Sequence, residues 1–243
     1  MNAPRTARQR VRAQLTSEIK EAARTQLVRD GAAGLSLRAV ARELGMVSSA
    51  VYRYFASRDE LLTALIIDSY DALGAAAEHA DATENPDDHP ARWLAACRAI
   101  RAWAVAHPQQ YALLYGSPVP GYRAPQDTVP PATRVAAVLG GIVRDATKAG
   151  VLVSPEPSPP LPASMAADAE RLRESIMPGV ADEVATRSLL AWMALFGTIS
   201  FELFGHLNNV VDDYSAAFEH HVHELCRYVG LRSPSATPRL TDR

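Results

Sequence analysis

The sequence predicts an all-α protein, with a short three-helix module at the N-terminus and a larger helical body after it. Three observations carry this expectation. Apolar residues recur at spacings of three and four between loops, and no segment alternates with the period of a strand. Proline, glycine and short polar residues cluster at 81–90, 116–128 and 153–163, where they break the helical pattern. The 243 residues are enough to bury one large core or two modest ones. The expected division is a flexible basic arm at 1–14, the three-helix module at 15–62, the helical body at 63–230 and a loose tail at 231–243.

Residues 1–14 show no apolar periodicity and carry Arg5, Arg8, Arg10 and Arg12. Two readings fit them, a solvated tail or an arm that lies along phosphates or enters a minor groove. A helix is expected over 17–30, with Ile19, Ala22, Ala23, Gln26 and Leu27 on one side and Gly31 as its end. A fourth helix starts after Ser57, with Asp59 and Glu60 in its first turn, where the dipole favours acids. It runs to about Ala80 and connects the module to the body. Further helices are expected over 91–106, 108–115, 130–150, 164–177, 182–205 and 214–230. The helix over 182–205 is apolar on nearly all sides, so burial against the subunit and a partner copy is expected.

Residues 36–62 are the most informative stretch. Ser36 suits an N-cap, and Leu37, Val40, Ala41 and Leu44 give the following helix one apolar face. Gly45 tolerates positive φ and turns the chain. Ser48 is expected to cap a second helix in which Val51 and Phe55 face inward, leaving Ser49, Tyr52, Arg53 and Tyr54 outward. A short helix anchored on one side, with hydroxyls, phenols and a guanidinium on the other, is the layout of a DNA-reading helix-turn-helix. An ordinary solvated helix more often shows Glu and Lys.

Charge is distributed unevenly. The net charge is −2, yet residues 1–60 hold eleven basic and six acidic side chains, and the remainder holds 14 basic and 21 acidic. A positive module on an acidic body favours phosphate binding at one end only. No apolar run approaches the roughly 20 residues that span a bilayer, and no secretory h-region follows the basic N-terminus. A cytoplasmic protein is therefore expected. Cys97 and Cys226 lie far apart in the sequence and read as buried free thiols. No Gly-x-Ser-x-Gly, P-loop or dinucleotide fingerprint supports an enzyme, and no cofactor is implied. His220 and Glu224 stand at i, i+4, the spacing of a metal-ligand pair and also of an ordinary solvated helix face.

The stretch 35–62 resembles the TetR family of bacterial transcriptional regulators. Val51-Tyr52, Tyr54-Phe55 and Ser57-Arg58-Asp59-Glu60-Leu61-Leu62 carry the likeness. The C-terminal part resembles a ligand-domain subtype named for a Trp-His-Gly signature, through His107-Pro108, Tyr111, Leu114, Trp192 and Phe196-Gly197, with Phe196 where that histidine would stand. The resemblance implies an N-terminal helix-turn-helix DNA-binding domain and a larger C-terminal helical ligand-binding and dimerisation domain. It implies a homodimer, joined through its last two helices, that binds a double-stranded DNA operator, and a small-molecule effector.

Site residues follow from matching positions and side-chain chemistry. Ser36, Tyr54 and Arg58 are expected to grip phosphates, and Arg38 and Val47 to lie close to DNA. Ser48, Ser49, Tyr52 and Arg53 are expected as base-edge or mixed contacts, Arg53 suiting guanine O6 and N7 and Tyr52 fitting a thymine methyl or a phosphate as well. Trp93, Trp103, Tyr111, Tyr115, Met165, Trp192, Met193 and Phe196 are the candidate lining of a pocket for an apolar or aromatic effector. Aromatics at helical spacing are also what a plain core contains.

Overall fold

The computed structural model describes residues 6–153 and 161–232. Arg5, most of the loop at 153–163 and most of the tail at 231–243 lie outside the described residues. Among the described residues the regular elements are helices, in the order α1 (Ala7–Asp30), α2 (Leu37–Glu43), α3 (Ser48–Val51), α4 (Arg58–Thr83), α5 (His89–Ala106), α6 (Pro108–Tyr115), α7 (Val129–Lys148), α8 (Ala166–Ile176), α9 (Asp182–Leu203) and α10 (Tyr214–Tyr228). Two compact units result, Met1–Ala72 with His107–Ala132, and Leu73–Ala106 with Thr133–Arg243.

In the first unit, Ile19, Ala22, Ala23 and Leu27 of α1 pack with Leu37, Val40 and Ala41 of α2 and with Val51, Phe55, Leu61, Leu62 and Leu65. The inner face of α1 is the one its periodicity indicates, and Gly31 ends the helix at φ 68°. Two features differ from expectation. α1 begins at Ala7, because Thr6 and Gln9 form a reciprocal capping box: Gln9 N–H donates to Thr6 Oγ1 at 3.3 Å and Thr6 N–H to Gln9 Oε1 at 2.8 Å. Residues 7–14 are therefore helix and not a flexible arm. The segment 107–132 also joins this unit. Leu113, Leu114, Val119 and Tyr122 pack on its core, Tyr122 Oη lies 2.9 Å from Thr63 Oγ1, and Gln110 Oε1 accepts from Ser69 Oγ at 3.3 Å. The unit thus extends past Leu62 and takes in a stretch distant in sequence.

In the second unit, α9 packs against α10, α8 and α5, and α5 against α10. Arg101 of α5 holds Glu202 of α9 through Nε and Nη2 at 2.8 and 2.7 Å and lies 5.1 Å from the Phe218 ring centroid. Arg98 holds Glu219 of α10 in the same two-pronged way. Gly140 lets α7 approach the end of α8: a Cβ there would stand 2.5 Å from Ile176 Cγ2. Cys97 and Cys226 are buried free thiols on α5 and α10, brought together by the packing of those helices. Burial pushes both thiols up, Cys226 to about 12. α9 is long and apolar enough to cross a membrane, with a mean hydropathy of 1.3 over its most apolar stretch, which corrects the expectation that no segment qualifies. Val184, Ala185, Ala191, Leu195, Phe196 and Ile199 of that helix are buried in the unit.

Candidate nucleic-acid interface

The geometry begins at Gln26, which is fully buried on α1 and accepts the Ser36 N–H at 3.2 Å through Oε1. This bond fixes the entry to α2. Ser36 occupies the N-cap with extended backbone, but its hydroxyl makes no bond to the helix it starts. That hydroxyl therefore keeps its donor for another acceptor at a positive helix end. α2 closes with Met46 N–H on Ala41 O at 2.8 Å, and Gly45 takes φ 65°, a conformation that disfavours any side chain.

The second helix is shorter than its spacing indicates. Ser48 is its first residue, Val47 occupies the cap position and no side chain caps it. Past Val51 the chain tightens, with Tyr54 N–H and Phe55 N–H both on Val51 O at 2.9 and 3.1 Å. Val51 and Phe55 are buried, so the segment is anchored as expected, while Val47, Ser49, Tyr52 and Arg53 face solvent and Ser48 is half-buried. Tyr54 differs from expectation. It is half-buried against the core, and the Arg12 guanidinium stands 5.6 Å above its ring.

Ser36, Arg38, Tyr52, Ser57 and Arg58, with Leu35, Leu37 and Ala56, line an open cleft of about 510 Å³. The cleft lies at two helix starts, since Ser57 Oγ accepts Glu60 N–H at 3.1 Å and caps α4. Arg58, expected to grip phosphate, instead donates to three carbonyls of the α1–α2 connection: Nη2 to Ala32 O at 2.8 Å and Ala33 O at 3.3 Å, and Nε to Leu35 O at 3.2 Å. Those acceptors lie more than 20 residues away in sequence, out of reach of any local pattern. The free cations are others. Arg8, Arg10, Arg12, Arg38, Arg42 and Arg53 have no carboxylate partner among the described residues. The sequence placed Arg12 in a stretch read either as a solvated tail or as a DNA-contacting arm; the signal for its placement on α1 was the Thr6-x-x-Gln9 cap, which makes its segment helical.

The eight effector candidates do not gather in one unit. Trp93, Trp103, Met165, Trp192, Met193 and Phe196 belong to the second, Tyr111 and Tyr115 to the first. Trp93 is buried with its indole N–H unpartnered, Trp103 and Phe196 are buried, and Trp192 lies 5.0 Å from Phe196 between ring centroids. Met165 and Met193 are exposed. Tyr111 is buried 5.1 Å from Tyr115, which meets Tyr70 edge-on at 6.1 Å. Burial raises the hydroxyl pKa of Tyr70 and Tyr115. Among the described residues no group of three or more His, Cys, Asp or Glu side chains could hold a metal. His220 is exposed and Glu224 pairs with Arg227.

An all-α fold with a helix-turn-helix whose outer face carries hydroxyls, a phenol and unpaired arginines defines a DNA-binding regulator. The family model for bacterial regulatory proteins, tetR family, matches residues 19–65, and the model for the tetracyclin repressor-like C-terminal domain matches 93–225, under a description that names no subtype. The chain is 45% identical over 205 residues to the HTH-type transcriptional regulator Rv1816 of Mycobacterium tuberculosis, covering 82% of this chain and 84% of that one. It matches the crystal structure of the regulatory protein SCO4313 with a TM-score of 0.74 at 34% identity, over 92% of this chain and 98% of that one. BioQ, solved with its natural double-stranded DNA operator, matches at a TM-score of 0.52 and 18% identity, over 89% and 98% of the two chains, which is a likeness of fold. The chain belongs to the TetR family of transcriptional regulators; it carries a helix-turn-helix DNA-binding domain and is not an enzyme.

Proposed function

We propose that this regulator is a cytoplasmic repressor that binds a pseudo-palindromic operator as a homodimer and leaves it when a small apolar or aromatic effector binds the helical body. The observation that carries the DNA half is the exposed set Ser49, Tyr52 and Arg53 on a segment held by buried Val51 and Phe55, beside the cleft of Ser36 and Arg38. Arg53 reads a guanine edge, while Ser36, Arg38 and the Tyr52 hydroxyl hold the backbone. Dimerisation is supported by exposed Leu189, Leu190, Met193 and Phe201 on α9 and Phe204 at its C-cap, an apolar row that a second copy covers. The two copies then present their reading segments to the two halves of a palindrome.

Effector release is a linkage between sites. A ligand that favours a body conformation unfit for DNA lowers DNA affinity by its differential binding. α4 contributes residues to both units and is the element through which such a shift reaches the module. The unpartnered Trp93 indole N–H supports a ligand carrying a hydrogen-bond acceptor. The exposure of Met165 and Met193, two of the eight candidates, favours a second reading, a DNA-binding regulator controlled without a small molecule.

One experiment separates the two readings. A random duplex library is enriched on the purified chain, and the winning sequence is titrated in the presence of a panel of apolar and aromatic compounds. The first reading expects a palindromic winner, a stoichiometry of two chains per site, and at least one compound that both raises the melting temperature and weakens DNA binding. A palindromic winner with no compound moving either quantity supports the second reading. A winner without two-fold symmetry overturns the dimeric operator reading.

A further inference from the structure

We infer that the N-terminal part of α1 is a second DNA-contacting element, in which Arg8 and Arg12 hold operator phosphates flanking the bases read by the segment 49–53. The inference rests on the operator reading above. Residues 7–16 add roughly 15 Å of helix ahead of the segment that packs on the core. The capping box at Thr6 and Gln9 fixes its start. Arg8 and Arg12 stand at i, i+4 and share one face, so two cations are presented in line along the helix. No acid occurs before Glu18, so the segment is uniformly positive.

Two further observations make this a built site. Arg12 sits 5.6 Å over the ring of Tyr54, the residue next to Arg53, so a cation of α1 is held beside the reading segment. The stack orients the guanidinium and leaves its N–H edge unspent. Gln9, Arg12, Thr16 and Ser17 also line an open cleft of about 520 Å³ with Lys20, Arg24 and Asp68. There Lys20 and Arg24 are neutralised, holding Asp68 at 2.8 and 2.9 Å, whereas Arg12 has no carboxylate partner among the described residues. The cation nearest the reading segment is the one left unneutralised. A duplex docked on the reading segment supplies the matching anion, and its phosphates shed counterions into solvent as these arginines neutralise them.

The test uses the full chain and the duplex it enriches from a random library, with affinity measured between 50 and 200 mM KCl. R8Q/R12Q keeps good helix formers at both positions and removes both charges. The expected result is a log affinity–log salt slope shallower by about 2 per chain, about 4 for the two chains on one operator, so that wild type loses roughly a hundredfold more affinity than the variant across that range. The ranking of base substitutions in the duplex stays that of wild type, the melting temperature is unchanged, and R8K/R12K keeps the wild-type slope. A slope for R8Q/R12Q equal to that of wild type overturns the inference while leaving the operator reading intact. A wild-type chain that enriches no sequence overturns both.

Discussion

In the first unit Arg8, Arg10, Arg12, Arg38, Arg42 and Arg53 stand without a carboxylate among the described residues. In the second, Arg92, Arg98, Arg101 and Arg134 each grip a carboxylate with two nitrogens, on Asp81, Glu219, Glu202 and Glu78. The same side chain does opposite work in the two units. Where the charge is unspent it attracts phosphate; where it is matched it cross-links helices and contributes nothing to a distant anion. The first unit has its own paired cations, Lys20 and Arg24 on Asp68, and these fasten α1 to α4 in the same way. On the proposed reading, partnering, more than the count of basic residues, marks the DNA interface.

This contrast can be broken or sharpened by substitution. Arg101→Ala leaves Glu202, whose side chain is 12% exposed, without its bidentate partner and strips the cation from Phe218. The pair is partly solvated, so a loss of about 2–3 kcal/mol is expected in a denaturant or thermal unfolding series. DNA sequence preference should stay unchanged in the folded protein. Gly140→Ala forces a Cβ against Ile176 and Met177 and should cost about 1–3 kcal/mol by the same measurement, again without altering DNA preference. Arg58→Ala frees three carbonyls of the α1–α2 connection, which water can partly satisfy, and is expected to lower stability by about 1 kcal/mol. If Arg58 were instead a phosphate grip, the salt slope of DNA binding would fall while the melting temperature held.

The smallest effect is on acid stability. Hydrogen bonds from Arg134 and Arg98 hold Glu78 and Glu219 below the usual carboxylate range. A carboxylate whose pKa is depressed by folding contributes stability above its unfolded value, about 4.3, and loses it as pH falls through the folded value. Thermal stability should therefore be level above pH 5 and decline below it. R98A and R134A should flatten part of that decline. Both pairs are substantially exposed, so the change is modest.

Much of the first unit was legible in the sequence because its signals are local. The buried face of α1, the stop at Gly31, the turn at Gly45 and the cap at Ser57 each depend on residues within a turn or two. The two-helix layout with Val51 and Phe55 inward follows from the same periodicity. What the sequence concealed depends on the path of the chain through space. Arg58 meets carbonyls from another connection, Arg12 meets Tyr54 more than 40 residues on, and Tyr111 and Tyr115 join the first unit from a stretch distant in sequence. The early start of α1 was written in Thr6 and Gln9, but an arginine-rich stretch without apolar periodicity hides a helix stabilised by its cap. Ser48 was expected at the cap and is the first helical residue instead, a shift of one position that leaves Val47 at the cap with no side-chain capping bond.

The most direct test of the central claim compares R53A with R101A in competition binding, using the duplex enriched on wild type against a scrambled duplex at fixed salt. The account expects R53A to keep its melting temperature and lose about tenfold or more of its preference, in line with about 1–3 kcal/mol for one guanine contact. R101A should melt earlier and keep its preference. An R53A protein that discriminates as wild type does, or a folded R101A protein that does not, would contradict it.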